Sequence, residues 1–369
     1  MVVNSGSSTL KLTLLSGEDN VLGHRELETP HGTVEARALE AALGAALLGD
    51  LAGAQAVGHR IMHGGERFDK AVRIDGRVRS ALHGLTKLAP LHQPRGLSAL
   101  ESIGDALPEL PAVACFDSAF HATVPSVAST YPLPQRWRKR WGVRRYGFHG
   151  LSHAWVAQRT PEILGLAEGA EPRIVSCHLG AGSSICAIRG GCSLDTTMGF
   201  TPLDGLVMAT RSGSLDPALV LWLLERPGID ARELARTLEH GSGLLALGGS
   251  ADMRLLLEHA EEGDIDASFA LDVYTHRLRA GIAAMTASLG GLDVLAFTGG
   301  IGQNSCAIRR MATAELGFLG VSIDQQLNER AEGDRDISAA GARVSTLVID
   351  SREDLEMARQ VRATLEHEG

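Results

Sequence analysis

No stretch of this chain approaches the roughly 18 consecutive apolar residues that a membrane-spanning helix needs, so no membrane partner is expected. Positive charge is also in short supply. Lys and Arg number 35 against 44 Asp and Glu, for a net charge of −9. A broad nucleic-acid surface needs clustered cations, so nucleic acid is not an expected partner either. Cysteines are few: Cys115, Cys177, Cys186, Cys192 and Cys306, with no CxxC spacing and mostly within apolar runs. Reduced, buried thiols of a cytoplasmic protein are the expectation. The start, Met1-Val2-Val3-Asn4, has no basic region leading into an apolar core, so nothing there suggests export. There is no G-x-x-x-x-G-K-[ST] loop, no G-x-G-x-x-G fingerprint and no HExxH or Cys/His cluster. Their absence argues against the common nucleotide-hydrolase loop, a dinucleotide-binding domain and a zinc site. Aromatic residues make up only 4%.

What the chain has is glycine, 43 of 369 residues, which implies many tight turns or backbone brought close to a ligand. The length suffices for two domains. Val2-Val3-Asn4-Ser5-Gly6-Ser7-Ser8 followed by Thr9 to Leu14 resembles Ile174 to Leu179, Gly180-Ala181-Gly182-Ser183-Ser184 and Ile185 to Ile188. Each reads as a strand, a Gly/Ser turn and a second strand; Leu10, Leu12 and Leu14 alternate at strand period. A second recurrence pairs Val113 to Asp117 with Val294 to Thr298, each an apolar run ending at a polar or Gly-rich turn. Two related halves follow, roughly 1–118 and 174–350. Helices are expected over Glu35 to Leu48, Ala218 to Arg226 behind the cap Asp216, Asp230 to His240, Ser250 to Glu262, Asp266 to Leu289 and Arg352 to Glu366. Strands interleaved with helices indicate α/β layers, and no linker separates the halves, so two domains facing a cleft are expected.

Gly/Ser turns expose backbone N–H groups that suit phosphate oxygens. A third such turn, Gly299 to Asn304, leads toward the cap residue Ser305. Together the three turns suit a nucleotide. Groups that bind anions cluster beside glycines, prolines and strand ends: Gly58-His59-Arg60, Leu91-His92-Gln93-Pro94, Phe116-Asp117-Ser118-Ala119-Phe120-His121, Arg144 through His153, and Thr210-Arg211-Ser212-Gly213.

On these residues the chain closely resembles the acetate and propionate kinase family from Asn4 to about Arg359. The segments that carry the likeness are Asn4 to Lys11, Gly58-His59-Arg60 with His63-Gly64-Gly65-Glu66, Ala89-Pro90-Leu91-His92, Phe116 to His121, Arg144 to His153, His178 to Ser184, Asp195 to Pro217, and Phe297 to Asn304. The resemblance implies the duplicated actin-like, ribonuclease-H-like ATPase fold. Its first domain would be 1–118 plus 354–369 and its second, carrying most of the nucleotide site, 119–353. It implies Mg²⁺, with Mn²⁺ as a substitute, held by Asn4 and Glu353. Lys11, His178, Leu179, Gly180, Ala181, Gly182, Asp252, Met253, Arg254, Gly300, Ile301, Gly302, Gln303 and Asn304 would bind ATP or ADP. Arg60 would bind the substrate carboxylate, Asp117 would be the catalytic acidic residue, and His149 and Arg211 would stabilise the transition state. Met62, Leu91, Phe148 and Pro202 would line the acyl pocket. A homodimer through the second domain is implied too. Thr9, Met62, Gln303 and the run Ser351-Arg352-Glu353-Asp354 depart from the family's usual residues.

The implied reaction is ATP plus acetate giving ADP plus acetyl phosphate, and its reverse, by direct in-line attack. A short carboxylic acid titrates near the side chain of Glu, about pH 4–5, and is already an anion at pH 7. It needs no general base. It needs its charge and that of the γ-phosphate neutralised, which arginine, a His donor and Mg²⁺ do. Asp117 then reads as orienting Mg²⁺ or an arginine. The alternatives are a kinase for propionate or butyrate, and a non-catalytic actin-like ATP switch.

Overall fold

The computed structural model describes residues 1–5, 9–28, 53–88 and 93–367. The chain forms two compact units. The first comprises Met1–Ala122, Phe148–Trp155 and Arg352–Gly369; the second comprises Thr123–Gly147 and Val156–Ser351. The expected helix Glu35 to Leu48 and the turn Gly6 to Ser8 lie outside the described residues.

The first unit holds β1 (Val2–Ser5), β2 (Thr9–Leu15), β3 (Val21–Glu28), β4 (Val57–Ile61), β5 (Val72–Arg73) and β6 (Ala112–Phe116) in one sheet ordered β3-β2-β1-β4-β6-β5. β1, β4 and β6 run parallel, while β2, β3 and β5 are antiparallel to their neighbours. The alternation read in Thr9 to Leu14 puts Leu10, Leu12 and Leu14 in the core. There they meet Ala99 and Ile103 of the helix Gln93–Ala106. The closing helix Glu353–Glu366 packs Met357, Ala358 and Val361 on Val2, Val113 and Cys115. Gly58 of β4 makes that approach close, because a Cβ there would lie 2.7 Å from Val361.

The second unit repeats the plan. Its strands β7 (Ile174–Leu179), β8 (Ser183–Arg189), β9 (Cys192–Thr196), β10 (Val294–Thr298), β11 (Arg335–Asp336) and β12 (Ser345–Val348) are ordered β11-β12-β10-β7-β8-β9. β7, β10 and β12 are parallel and the other pairs antiparallel. Read from the other edge, this is the order and sense of the first sheet, strand for strand. The duplication expected from the sequence is therefore present, with the hairpin β1-β2 matching β7-β8. The second recurrence needs correcting. In the topology Val113–Phe116 of β6 corresponds to β12, and Val294–Thr298 of β10 corresponds to β4. Both runs are apolar strands ending at a turn; only their neighbours in the sheet tell them apart.

Behind the second sheet runs the helix Ile265–Leu289, capped by Asp264. It buries Leu271, Tyr274, Leu278, Ile282 and Met285, spaced three or four apart as a core-facing stripe requires. Each such side chain is worth about 1.5–3 kcal/mol once fully buried. The helices capped by Asp216 and Asp230 begin as expected at Pro217 and Ala231. The one expected from Ser250 begins only at Met253, capped by Asp252. Gly299 to Asn304, expected as a turn, is itself a short helix.

Candidate functional site

In both sheets the three parallel strands end on the same side, where open α/β sheets bind ligands. In the first unit, Asn4 lies one residue before the end of β1, Arg60 lies near the end of β4, Asp117 follows β6, and Glu353 opens the last helix. The parallel register carries Arg60 beside Cys115, two residues short of Asp117. Arg60 Nε donates to Asp117 Oδ1 at 3.0 Å and Nη2 to Oδ2 at 2.7 Å, a bidentate pair. Nη1 donates to Asn4 Oδ1 at 2.9 Å and to Glu353 Oε2 at 3.0 Å. Asn4 Nδ2 donates to the same Glu353 oxygen at 2.9 Å. Asp117 is 0% exposed. Burial alone would lower the Arg60 guanidinium, but the charges of Asp117 and Glu353 outweigh it and hold it above its ordinary value. Burial pushes the Asp117 carboxyl up, and Arg60, bonded to both oxygens, pulls it back.

The oxygens gathered here are hard donors: two carboxylates and an amide. No cluster of three or more His, Cys, Asp or Glu occurs among the described residues. That donor set fits Mg²⁺, which keeps several waters and takes only one or two carboxylates plus phosphate oxygens. The cation beside Glu353 that the sequence introduces, Arg352, is bidentate on Asp354 at 2.9 Å for each contact.

Around this network the first unit fixes its turns tightly. His63 Nδ1 accepts the Gly65 amide at 2.8 Å, and Gln93 brackets the His63 backbone with two bonds of 3.2 Å. Gly64 donates to Ser118 Oγ at 2.9 Å. Burial lowers His63 to about 4 and His59 to about 3. His149 has φ +55°, rare for a residue with a side chain. The backbone on either side of it is tied down. His121 Nε2 contacts Phe148 O at 2.9 Å, and the Gly150 amide donates to Asp117 O at 2.8 Å. A Cβ at Gly150 would lie 2.2 Å from that oxygen, so the close approach requires glycine. Phe148 is buried against His63, ring centroids 5.6 Å apart, and Met62 is half-buried. Leu91 lies outside the described residues. Lys11 pairs with Glu26 at 3.7 Å.

The second unit offers a cavity instead of a charge network. Its volume is about 820 Å³, and Ala181, Asp252, Met253, Arg254, Gly300, Ile301 and Asn304, all singled out from the sequence, line it. Parallel pairing of β7 with β10 sets Thr298 opposite His178. Gly299, at φ +77°, lies so close to the Leu179 backbone that a Cβ would come within 2.7 Å of its oxygen. This is how the loop His178 to Gly182 and the turn Gly299 to Asn304 come together. Leu179, Gly180, Gly182, Gly302 and Gln303 shape the loops without lining the cavity. Gln303 donates to Asp350 Oδ1 at 2.8 Å, a contact that a Glu there would replace with two opposed carboxylates. Sequence reasoning missed Glu258, Glu261 and Cys306 on the cavity wall. The helical spacing of Arg254, Glu258 and Glu261 was the signal available. Cys115, Cys177 and Cys186 are buried as expected, but Cys192 is exposed and Cys306 half-buried.

Arg211 and Pro202 also belong to the second unit. Arg211 Nε pairs with the buried Glu239 at 3.0 Å. The loop is pinned by Gly243, at φ +63°, where a Cβ would lie 2.2 Å from Met208 O and 2.6 Å from Arg211 O.

The sequence model of the Acetokinase family matches residues 33–359. Among curated proteins, acetate kinase of Deinococcus deserti is 41% identical over 99% of this chain and 97% of its own length. Acetate kinase of Gloeobacter violaceus is 46% identical over 82% of this chain and 75% of its own. Among solved structures, the acetate kinase of Porphyromonas gingivalis superposes with a TM-score of 0.89 at 34% identity, covering 99% of this chain and 98% of that one. A propionate kinase of Francisella tularensis gives 0.90 at 33% identity, covering 97% of each.

Proposed function

This chain belongs to the Acetokinase family, and on that footing we propose how its residues carry reversible phosphoryl transfer between ATP and acetate. The enzyme is a phosphotransferase with a carboxyl group as acceptor, built on the duplicated actin-like α/β fold. The observation that carries the assignment of roles is the Arg60, Asp117, Asn4 and Glu353 network at the carboxyl ends of β1, β4 and β6.

Acetate arrives as an anion and requires no base. The fully buried Asp117, bonded through both oxygens to Arg60, is placed to hold a guanidinium, not to take a proton. Arg60 then presents a fixed positive charge to the carboxylate. Asn4 and Glu353 would hold Mg²⁺, which when bound neutralises phosphate charge. His149 of the first unit, held at its unusual φ, and Arg211 of the second, held by Glu239, would each act as a donor to phosphoryl oxygens. The 820 Å³ cavity of the second unit would take the nucleotide. Hydroxylamine trapping of acyl phosphate, with ATP and straight-chain acids of one to four carbons, tests the reading. Acetate should give the strongest signal. No trapped product from any acid would sink it. A propionate signal equal to that of acetate would favour the second reading, which the likeness to a propionate kinase keeps in view.

The assembly we favour is a homodimer through the second unit. The helix Pro217–Leu224 is apolar throughout yet buries none of its residues, with Leu221 65% and Trp222 52% exposed. Such a helix is ordinarily covered. Sedimentation of wild type against Leu221→Glu/Trp222→Glu should show a dimer becoming a monomer.

A further inference from the structure

The segment Thr123–Gly147 departs from the rest of the chain. It holds Arg136, Arg138, Lys139, Arg140, Arg144 and Arg145 and no acidic residue, in a protein of net charge −9. Its centre is the helix Gln135–Trp141, Gln-Arg-Trp-Arg-Lys-Arg-Trp, none of whose residues is buried. Seven residues cannot hold a helix by themselves. Backbone ties hold this one. Trp137 N donates to Pro134 O, Gly142 in the left-handed region closes the end on Arg138 O, and Arg138 Nε bonds Leu133 O. None of its side chains enters a core, so its outer face is spare.

That face has a definite chemistry. Trp137 and Trp141, one helical turn apart, are 40% and 52% exposed, with ring centroids 6.0 Å from each other. Arg136 lies over the Trp137 ring and Arg140 over the Trp141 ring, 5.7 and 5.5 Å from the centroids. Arg136, Arg138, Lys139 and Arg140 form no ion pair among the described residues, whereas Arg145 is already engaged with Asp204 and three carbonyls. Leu133 and Val127 of the same segment are 41% and 90% exposed.

We propose that this basic, tryptophan-bearing helix is a docking surface for an anionic phospholipid membrane, which the chain would touch without crossing. Indoles prefer the headgroup level, and long cationic side chains reach lipid phosphates while their stems lie along apolar surface. The sequence-based expectation of no membrane partner rests on the lack of a spanning run, and surface binding needs none. Two other occupants fit less well. A second copy docking symmetrically would set these cations against themselves. Single-stranded nucleic acid would stack bases on the indoles, but one face of each is already covered by an arginine. Nor would it use the exposed Leu133 and Val127.

Co-sedimentation with lipid vesicles tests the surface, using the intact protein. Vesicles with about one third phosphatidylglycerol should bind it at low salt, and pure phosphatidylcholine should not. High salt should release it. Each cation near an anionic surface is worth about fivefold in affinity, so Arg136→Glu/Lys139→Glu/Arg140→Glu should bind at least about 100-fold more weakly. Trp137→Ala/Trp141→Ala should also weaken binding, with all charges kept. Acetyl phosphate formation in solution should be unchanged in both variants, which shows that they fold. Failure of wild type to bind the anionic vesicles overturns the proposal. So does equal binding by wild type and the charge-reversed variant, or retention of a single-stranded oligonucleotide when vesicles are not bound.

Discussion

The duplicated topology gives two equivalent places to compare, the carboxyl ends of β1, β4 and β6 and those of β7, β10 and β12. The first is filled with charge: an arginine, two carboxylates and an amide that satisfy one another. The second is built on close backbone contact, with Gly299 against Leu179, and on an open cavity whose wall mixes small residues with Asp252, Arg254, Glu258 and Glu261. On the function proposed, one repeated strand arrangement serves two binding problems. A small anion needs a fixed counter-charge; a nucleotide needs room and N–H groups. The difference also says what a mutation will do. In the first unit, chemistry and stability share the same side chains. In the second they can be separated.

The largest expected effect lies in the charge network. Arg60→Ala should lower turnover on the order of 10²–10³, as loss of a transition-state donor does. Were Arg60 a solvated side chain, such a change would leave the fold untouched. Burial of Asp117 changes that expectation. Removing Arg60 strands a buried carboxylate, and breaking a buried pair costs about 3–5 kcal/mol. Denaturant unfolding should therefore show a loss along with the kinetics. If Arg60→Ala keeps wild-type stability, the network is not held as the geometry implies.

Acyl length comes next. Met62 is half-buried next to Ile61 of β4, and Phe148 is buried in the same unit. A longer, unbranched side chain where the family usually has Val should shorten the pocket. One methylene is worth about 1–3 kcal/mol there, so acetate should exceed propionate in kcat/KM by roughly 10- to 200-fold. Met62→Ala should narrow that ratio. An unchanged ranking of acids would mean that another residue sets the limit.

Much of this was legible in the sequence, and what was not has a physical reason. Period-2 leucines and Gly/Ser turns reveal a hairpin because both signals are local, and Asp216, Asp230 and Ser305 cap helices for the same reason. The equivalence of β6 with β12 was missed because strand identity depends on neighbours in the sheet. The network residues were named one by one, but their mutual bonds join positions 57 and 293 residues apart, and no local pattern carries that. The φ of His149 is equally invisible, since it goes with a close approach of Gly150 to Asp117, a residue distant in sequence.

Acid should find the first unit's weak point. His59 and His63, lowered to about 3 and about 4 by burial, are neutral in the fold. Free imidazole titrates near about 6.5, so below that pH the unfolded chain takes up protons that the folded chain refuses. Stability from these groups is complete above about pH 6.5 and falls as pH drops toward their folded values. Protonated His63 could no longer accept the Gly65 amide. Unfolding free energy measured at pH 7.5 and pH 5 should decline at the lower pH, with a shallower decline in His63→Ala. Equal slopes would place the acid sensitivity elsewhere.

The smallest change is the sharpest test of the second unit, because it adds a single methyl at either of two adjacent glycines. Gly299 has φ +77° and no room, since a Cβ would sit 2.7 Å from Leu179 O. Gly299→Ala should cost at least about 1–2 kcal/mol from the left-handed backbone alone. Gly300 lines the cavity, lies within a short helix, and a Cβ there meets nothing within 4 Å. Gly300→Ala should leave stability unchanged or raise it by about 0.5–1 kcal/mol, since Ala is the better helix former. Its methyl nevertheless enters the space assigned to nucleotide, so KM for ATP should rise by about tenfold, in keeping with the roughly 1–3 kcal/mol that overpacking costs. Thermal melts and nucleotide titrations of the two variants together decide the matter. A second-unit site made of shape predicts that Gly300→Ala loses affinity and keeps its fold. If it loses stability in step with affinity, as Arg60→Ala should, the two halves do not differ in the way their geometry says.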